Sequence, residues 1–76
     1  MSTLTNKQTR ELMSEFSPSP GFVLKLSRKQ FEELVEDAID QDISEMEGSN
    51  GNRLKQLLKL GTDDQVNSLI AALRAS

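Results

Sequence analysis

The strongest pattern of apolar and polar positions lies in the middle of the chain and predicts one long helix. Its apolar residues recur at intervals of three and four, which places them on a single helical face: Phe31, Leu34, Val35, Ala38, Ile39, Ile43 and Met46. Ser27 and Gln30 have the spacing of a capping box just before this stripe. We therefore expect a helix from Arg28 to Ile43 or Met46.

Two further helices are predicted after a break at residues 47–52 that is rich in Gly and Asn. The first of them turns its leucines inward and three cations outward, namely Arg53, Lys55 and Lys59. Gly61 is expected to end this helix in left-handed backbone. Thr62 then begins a last helix with a capping box, and its apolar positions are Val66, Leu69, Ile70 and Leu73.

The beginning of the chain has a weaker pattern. A helix over residues 6–16 and a frayed or disordered segment are both compatible with it. Residues 17–21 contain both prolines of the chain and break any helix. We expect residues 1–21 to form a weakly ordered segment with a Ser/Pro linker, and residues 22–76 to form a single helical domain.

Residues 22–26 alternate between two sets of side chains, since Phe22, Leu24 and Leu26 are separated by Val23 and Lys25. A period of two is typical of extended backbone, and the sequence contains no second strand to pair with it. We expect an extended arm that packs on the helices or joins two copies into a homodimer through Phe22–Leu26. The predicted fold is all-α, a compact bundle of three to four short helices with an extended N-terminal arm.

The residue types of the chain exclude most common catalytic and metal sites. The 76 residues contain no Cys and no His, so the usual disulfides, zinc sites and catalytic triads have no components. Asp40, Asp42 and Ser44 match the start of a calcium loop, but Glu45 and Gly51 stand where that loop needs Gly and Glu. We expect no catalysis, no cofactor and no metal.

The N-terminal residues do not resemble a signal peptide, and no apolar run is long enough to span a bilayer. The sequence therefore predicts a soluble, cytoplasmic domain without membrane partners. A formal net charge of −3 gives no overall attraction to nucleic acid or anionic lipid.

Charge is unevenly distributed along the chain. Eight of the 12 acidic residues lie between Glu32 and Glu47, a span without Lys or Arg. The remaining residues hold nine basic against four acidic side chains, a net charge of +5. Arg28 and Lys29 stand at the positive end of the predicted helix dipole and Asp40 near its negative end, each locally unfavourable. This acidic span is either a solvated face or a surface that binds a basic partner protein.

A second class of function comes from the helix–Gly61–helix pattern, which invites comparison with a helix-turn-helix. Its second helix begins with Asp63 and Asp64, and Arg74 is its only basic residue. Carboxylates at that position repel phosphates, so a small transcriptional regulator or nucleic-acid-associated protein is the alternative rather than the first prediction.

The chain also resembles a small helical module attached to bacterial abortive-infection and related conflict proteins, including those of phage defence. The matching residues are Phe31-x-x-Leu34-Val35-x-Asp37, Asp42-Ile43, Gly48-Ser49-x-Gly51-x-Arg53-Leu54 and Val66-x-x-Leu69-Ile70. The resemblance implies an adaptor or effector-associated role in bacteria or phages, without catalysis. Within it, Arg53 is a cation at a helix N-terminus and indicates a carboxylate partner.

The sequence thus predicts a noncatalytic helical domain for protein–protein interaction. Its predicted docking residues are Glu33, Glu36, Asp37, Asp40 and Arg53. An enzyme subunit or an allosteric inhibitor would have the same sequence features.

Overall fold

The computed structural model describes residues 3–18 and 22–76, and within them the fold is all-α. Its four helices are α1 (Asn6–Phe16), α2 (Arg28–Ile39), α3 (Asn50–Leu60) and α4 (Asp63–Ala75). α2 packs mainly against α4, and α1 packs against α3. The bundle measures 28 × 26 × 25 Å. The predicted helical bundle is therefore confirmed.

Each described helix begins at a Ser or Thr whose side-chain oxygen accepts a hydrogen bond from a backbone N–H in the first turn. These N-caps are Thr5, Ser27, Ser49 and Thr62. In α1, α2 and α4 a Gln at the third helical position completes a capping box. Each such cap contributes about 1 kcal/mol. Short-range hydrogen bonds thus determine where the helices start. One consequence is that α3 begins at Asn50, within the segment 47–52 that is predicted to be a break.

The predicted end of α2 is wrong. The helix ends at Ile39, because Asp40 adopts left-handed backbone with φ 55°. Ile43 nevertheless reaches the core and is 2% exposed, although it lies in the loop between α2 and α3. The backbone N–H of Met46 donates to the Ile43 carbonyl at 3.0 Å, which closes a turn. Ile43 is therefore buried, as the helical pattern predicted, but a loop that returns to the core buries it and not a longer helix.

The predicted extended arm at residues 22–26 is also wrong. Leu24 has a φ of 52°, and its N–H donates to the Phe16 carbonyl at 2.7 Å. Leu26 N–H donates to the Val23 carbonyl at 3.2 Å, so these N–H groups are not offered to another strand. Val23 fills the core, Leu24 and Leu26 pack against it partly buried, and Phe22 is 61% exposed, a pattern that a turn produces and a strand with alternating faces does not.

Residues 6–16 form a helix rather than a disordered segment. Phe16 at its end is 2% exposed and belongs to the same core as α2, α3 and α4. The Thr3 backbone N–H also donates to the Asp63 carboxylate at 2.7 Å, at the start of α4. Of the predicted linker at residues 17–21, residues 19–21 lie outside the described residues.

Gly61 ends α3 as predicted, but its backbone is extended (φ −71°, ψ 161°) rather than left-handed. Glycine is required there for a different reason: a Cβ would lie 2.8 Å from the Leu57 carbonyl oxygen. The Gly61 backbone N–H donates to the same carbonyl at 2.9 Å, which holds the chain this close.

Ten apolar side chains form the described core: Phe16, Val23, Phe31, Val35, Ile43, Leu54, Leu58, Val66, Leu69 and Leu73. Arg53 lies among them and is 0% exposed. The prediction that it faces outward with Lys55 and Lys59 is therefore wrong.

Candidate functional site, an acidic stripe on the second helix

Four of the predicted docking residues form one line of carboxylates along the outer side of α2. Glu33, Glu36, Asp37 and Asp40 are all exposed. Glu33, Glu36 and Asp37 share one face of α2, opposite the buried Phe31 and Val35, and Asp40 follows directly after the last helical residue. We call these four residues the acidic stripe.

The loop after α2 extends the negative surface, because Asp42, Glu45 and Glu47 are exposed as well. The Ser44 backbone N–H donates to the Asp42 carboxylate at 2.9 Å. This hydrogen bond lowers the pKa of Asp42. Asp42 therefore stabilises a turn, which accounts for its spacing to Ser44 without a calcium ion.

The acidic stripe has no basic partner within the described part of the chain. The ion pairs found there join Arg28 to Glu32, Arg53 to Glu32 and Arg74 to Glu15. None of them involves a stripe residue. Lys29, one turn before Glu33, is exposed and forms no ion pair with any residue that the structure describes. The charge of the stripe is consequently left to solvent.

Arg53, the fifth predicted docking residue, is bound inside the molecule. Its Nη1 donates to Glu32 Oε2 at 2.8 Å and to the Ile43 carbonyl at 3.3 Å. Its Nη2 donates to Asn50 Oδ1 at 2.6 Å, and the guanidinium carbon lies 5.5 Å from the centroid of the Phe31 ring. The carboxylate partner that its sequence position indicated is Glu32 of the same chain.

Arg28 explains part of the unfavourable charge order on α2. Its guanidinium donates to the Gly48 carbonyl at 2.9 Å and to the Met46 carbonyl at 3.2 Å. It also lies 3.5 Å from Glu32. Together with Arg53 it fastens the loop between α2 and α3 to the helices. This cation serves tertiary structure and not the α2 dipole.

The remaining cations of α3 lie on another side of the bundle. Lys55 and Lys59 line a groove of about 410 Å³ between α1 and α3, together with Arg10. They therefore face α1 rather than the acidic stripe on α2. We call this groove, lined by Asn6, Thr9, Arg10, Met13, Lys55 and Lys59, the basic groove.

Sequence reasoning missed the basic groove. The only signal was the four-residue spacing of Lys55 and Lys59, which puts both on one side of α3. Arg10 lies 45 positions before Lys55 in the chain and joins them only because α1 packs on α3. Such a pairing of helices is not encoded in local periodicity.

The helix–Gly61–helix segment offers little to nucleic acid. Asp63 and Asp64 are exposed at the start of α4. Arg74 is bound to Glu15, with distances of 3.0 and 3.2 Å between their charged atoms. The exposed side of α4 thus presents carboxylates at its N-terminus and a neutralised cation at its C-terminus, which is unfavourable for phosphate binding.

Neither a metal site nor a membrane helix is found in residues 3–18 and 22–76. No three acidic side chains there are close enough together to hold a metal ion. None of the four helices has the length and the apolar run that crossing a bilayer requires. No protein-family model matches the chain, and no curated protein or solved structure matches it. The resemblance to conflict-protein modules stays a prediction.

Proposed function

We propose that this chain is a noncatalytic helical interaction domain that binds a basic surface of a partner protein through the acidic stripe. The observation that carries the proposal concerns Glu33, Glu36, Asp37 and Asp40. All four are exposed along α2 and at its C-terminus, and none of them forms an ion pair with a cation of the described residues. The domain's role is that of an adaptor or effector-associated module. Its place in bacterial or phage conflict rests on the sequence resemblance.

The backbone of α2 makes this face receptive to external cations. Glu36, Asp37 and Asp40 stand in and just after the last turn of the helix. Carboxylates there are unfavourable by about 0.3–1 kcal/mol each at low salt because the helix dipole is negative at that end. Glu33 and Asp37 also repel each other across one turn. A basic partner relieves both effects, so part of the binding free energy comes from unfavourable interactions in the free domain.

Arg53 is not included in the proposed docking surface. Its guanidinium is 0% exposed, and two of its nitrogens donate to groups of the same chain. The exposed carboxylates Asp42, Glu45 and Glu47 lie in the loop after α2 and add to the negative field that steers a basic partner, an effect that weakens as salt screens the charges.

The alternative interpretation of the stripe is a solvated face that only keeps the domain in solution, and a pair of matched variants separates the two. The stripe variant carries Glu36→Gln and Asp37→Asn. The control variant carries Glu11→Gln and Asp64→Asn, which remove the same charge at exposed positions on α1 and α4. Both are used, with the wild type, to capture proteins from an extract of the native host, followed by titration of the captured partner at several salt concentrations.

We expect the stripe variant to bind the partner at least about tenfold more weakly, which is roughly 1.4 kcal/mol. The control variant binds like the wild type, and the affinity of the wild type falls as salt rises. Circular dichroism verifies that both variants are folded. Equal capture by the folded stripe variant would leave only the solvated-face interpretation.

A further inference from the structure

We infer that the basic groove receives the acidic stripe of a second copy of this chain, so that copies associate head to tail. The inference rests on the proposed function, since it names one partner for the stripe. It concerns a surface that is separate from the stripe, because no residue lines both.

The basic groove is a depression of about 410 Å³ lined by three cations, two polar side chains and one apolar side chain. Arg10 projects from α1, and Lys55 and Lys59 project from α3, all three exposed. Met13, the apolar residue of the lining, is half-buried and packs against the core. No carboxylate lines the groove, and none of its three cations forms an ion pair within the described residues. The positive charge of the groove is therefore not neutralised by the residues that line it.

The charges of the groove and of the stripe have matching spacing. Lys55 and Lys59 are four residues apart on one helix, and so are Glu33 and Asp37 on another. Both pairs therefore repeat along their helices every ~6 Å. A helix laid along the groove can place two carboxylates beside two lysines, with Arg10 available on the opposite wall.

The arrangement also determines the kind of assembly. The stripe belongs to the α2–α4 pair and the groove to the α1–α3 pair, so one copy can use both surfaces at once. A contact between two different surfaces is heterologous and produces rings or open chains rather than a closed two-fold dimer. The contact is built from exposed charges and should be weak and strongly dependent on salt.

Other occupants fit the groove less well. No aromatic ring lines it on which a base could stack. The net charge of −3 and the carboxylates at the start of α4 repel a long phosphate backbone. A small inorganic anion would leave the apolar surface of Met13 uncovered. The acidic stripe offers carboxylates on a helix. These carboxylates can pair with the cations of the groove while the helix covers Met13.

Two charge-reversal variants test the inference. The groove variant, Lys55→Glu with Lys59→Glu, keeps the stripe, and the stripe-reversal variant, Glu36→Lys with Asp37→Lys, keeps the groove. Sedimentation velocity follows the mass of the full chain against concentration at an ionic strength of about 0.01 M, where charges act over about 30 Å, and at about 1 M, where they act over about 3 Å.

We expect the wild type to gain mass with concentration at low salt and to become monomeric at high salt. Each variant alone should be monomeric, because neither combines an intact stripe with an intact groove. An equimolar mixture should regain association, because the intact stripe of the groove variant then meets the intact groove of the stripe-reversal variant. As a matched control, Lys59→Glu should weaken association, whereas Lys25→Glu changes the net charge equally at an exposed residue outside both surfaces and should have no such effect.

A wild type that stays monomeric at low salt overturns the inference, and so does association that persists in the folded groove variant. In either case the proposed function survives if capture of another protein still depends on Glu36 and Asp37. A gel shift of a DNA oligonucleotide that is lost in the groove variant, in a wild type that does not self-associate, would assign the groove to nucleic acid.

Discussion

Arg53 has more polar contacts within the core than any other described side chain there. Its guanidinium connects α3 with Glu32 on α2 and with the Ile43 carbonyl in the following loop. Its planar face lies near the Phe31 ring, a contact that a compact ammonium group makes less well. Its Nε is buried without a hydrogen-bond partner, so the network is close to complete but not saturated.

Replacing Arg53 by Met should lower the free energy of unfolding by about 3 kcal/mol, because Glu32 loses the nearer and buried of its two cations and the remaining volume packs poorly. That is a large share of the stability of a 76-residue domain, which is about 4–11 kcal/mol. Arg53→Lys should restore little of it, since one ammonium cannot reproduce the forked contacts. Urea denaturation measures each value.

Lys29→Met serves as the control, because Lys29 is an exposed residue of α2 and such changes stay within about 0.5 kcal/mol. Combining Arg53→Met with Glu32→Leu should recover part of the loss by removing the carboxylate that has lost its buried partner. An Arg53→Met variant as stable as the wild type would show that the network contributes nothing to folding.

At the level of elements, the two ends of α2 show how tertiary contacts override helix preferences. Arg28 stands in the first turn, where a cation is unfavourable, yet its guanidinium holds the Met46 and Gly48 carbonyls. Asp40 follows the last turn in left-handed backbone, where glycine is the preferred residue. The side chain of Arg28 therefore has hydrogen bonds that compensate for its position, whereas the side chain of Asp40 has none in the described residues.

Asp40→Gly should therefore stabilise the domain, by about 1 kcal/mol. Left-handed backbone is unfavourable by about 1–2 kcal/mol for a residue with a Cβ, although Asp tolerates it better than most, and the change also removes a negative charge beside the helix C-terminus. Asp40→Asn separates the two effects, because it removes the charge and keeps the Cβ. A lower thermal midpoint for Asp40→Gly than for the wild type would contradict this account.

At the scale of the whole molecule, an exposed ion pair joins α1, the first of the described helices, to α4, the last. Glu15 at the end of α1 binds Arg74 at the end of α4 through two hydrogen bonds, 59 residues apart. The Arg74 guanidinium lowers the pKa of Glu15, and Glu15 raises that of Arg74. Both side chains are exposed, so salt screens the pair.

This pair predicts a dependence of stability on acid. Because the pKa of Glu15 is lower in the folded state, the unfolded state binds more protons between the two pKa values. The stabilisation is present above the unfolded-state pKa and is lost as the pH falls through the folded-state pKa. Glu15→Gln should therefore lower stability near neutral pH and flatten its decline in acid, as followed by urea midpoints.

Glu11→Gln, one turn earlier on the exposed side of α1, is the control, because it removes the same charge at a residue that forms no ion pair within the described residues, and it should change stability less than Glu15→Gln does. About 1 M salt should reduce the difference between Glu15→Gln and the wild type. Identical pH profiles for all three proteins at low salt would show that the Glu15–Arg74 pair does not couple α1 to α4.

By itself, the sequence determined the features that depend on neighbours within about one helical turn. These are the starts of α2 and α4 at Ser27 and Thr62, and the apolar face of α2 that leaves Glu33, Glu36 and Asp37 outside. N-cap hydrogen bonds and the period of a helix are local, so residue spacing is enough to predict them.

Only the tertiary structure decided the end of α2, the turn at Val23, the burial of Arg53 and the basic groove. Each depends on residues far apart in sequence: Ile43 and Val23 fill space left by other elements, Arg53 meets Glu32, and Arg10 meets Lys55 across α1 and α3. An apolar residue in a returning loop has the same spacing as one in a helix, and a buried cation has the same residue type as an exposed one. Packing between distant segments distinguishes them, because it alone determines which side chains are removed from water.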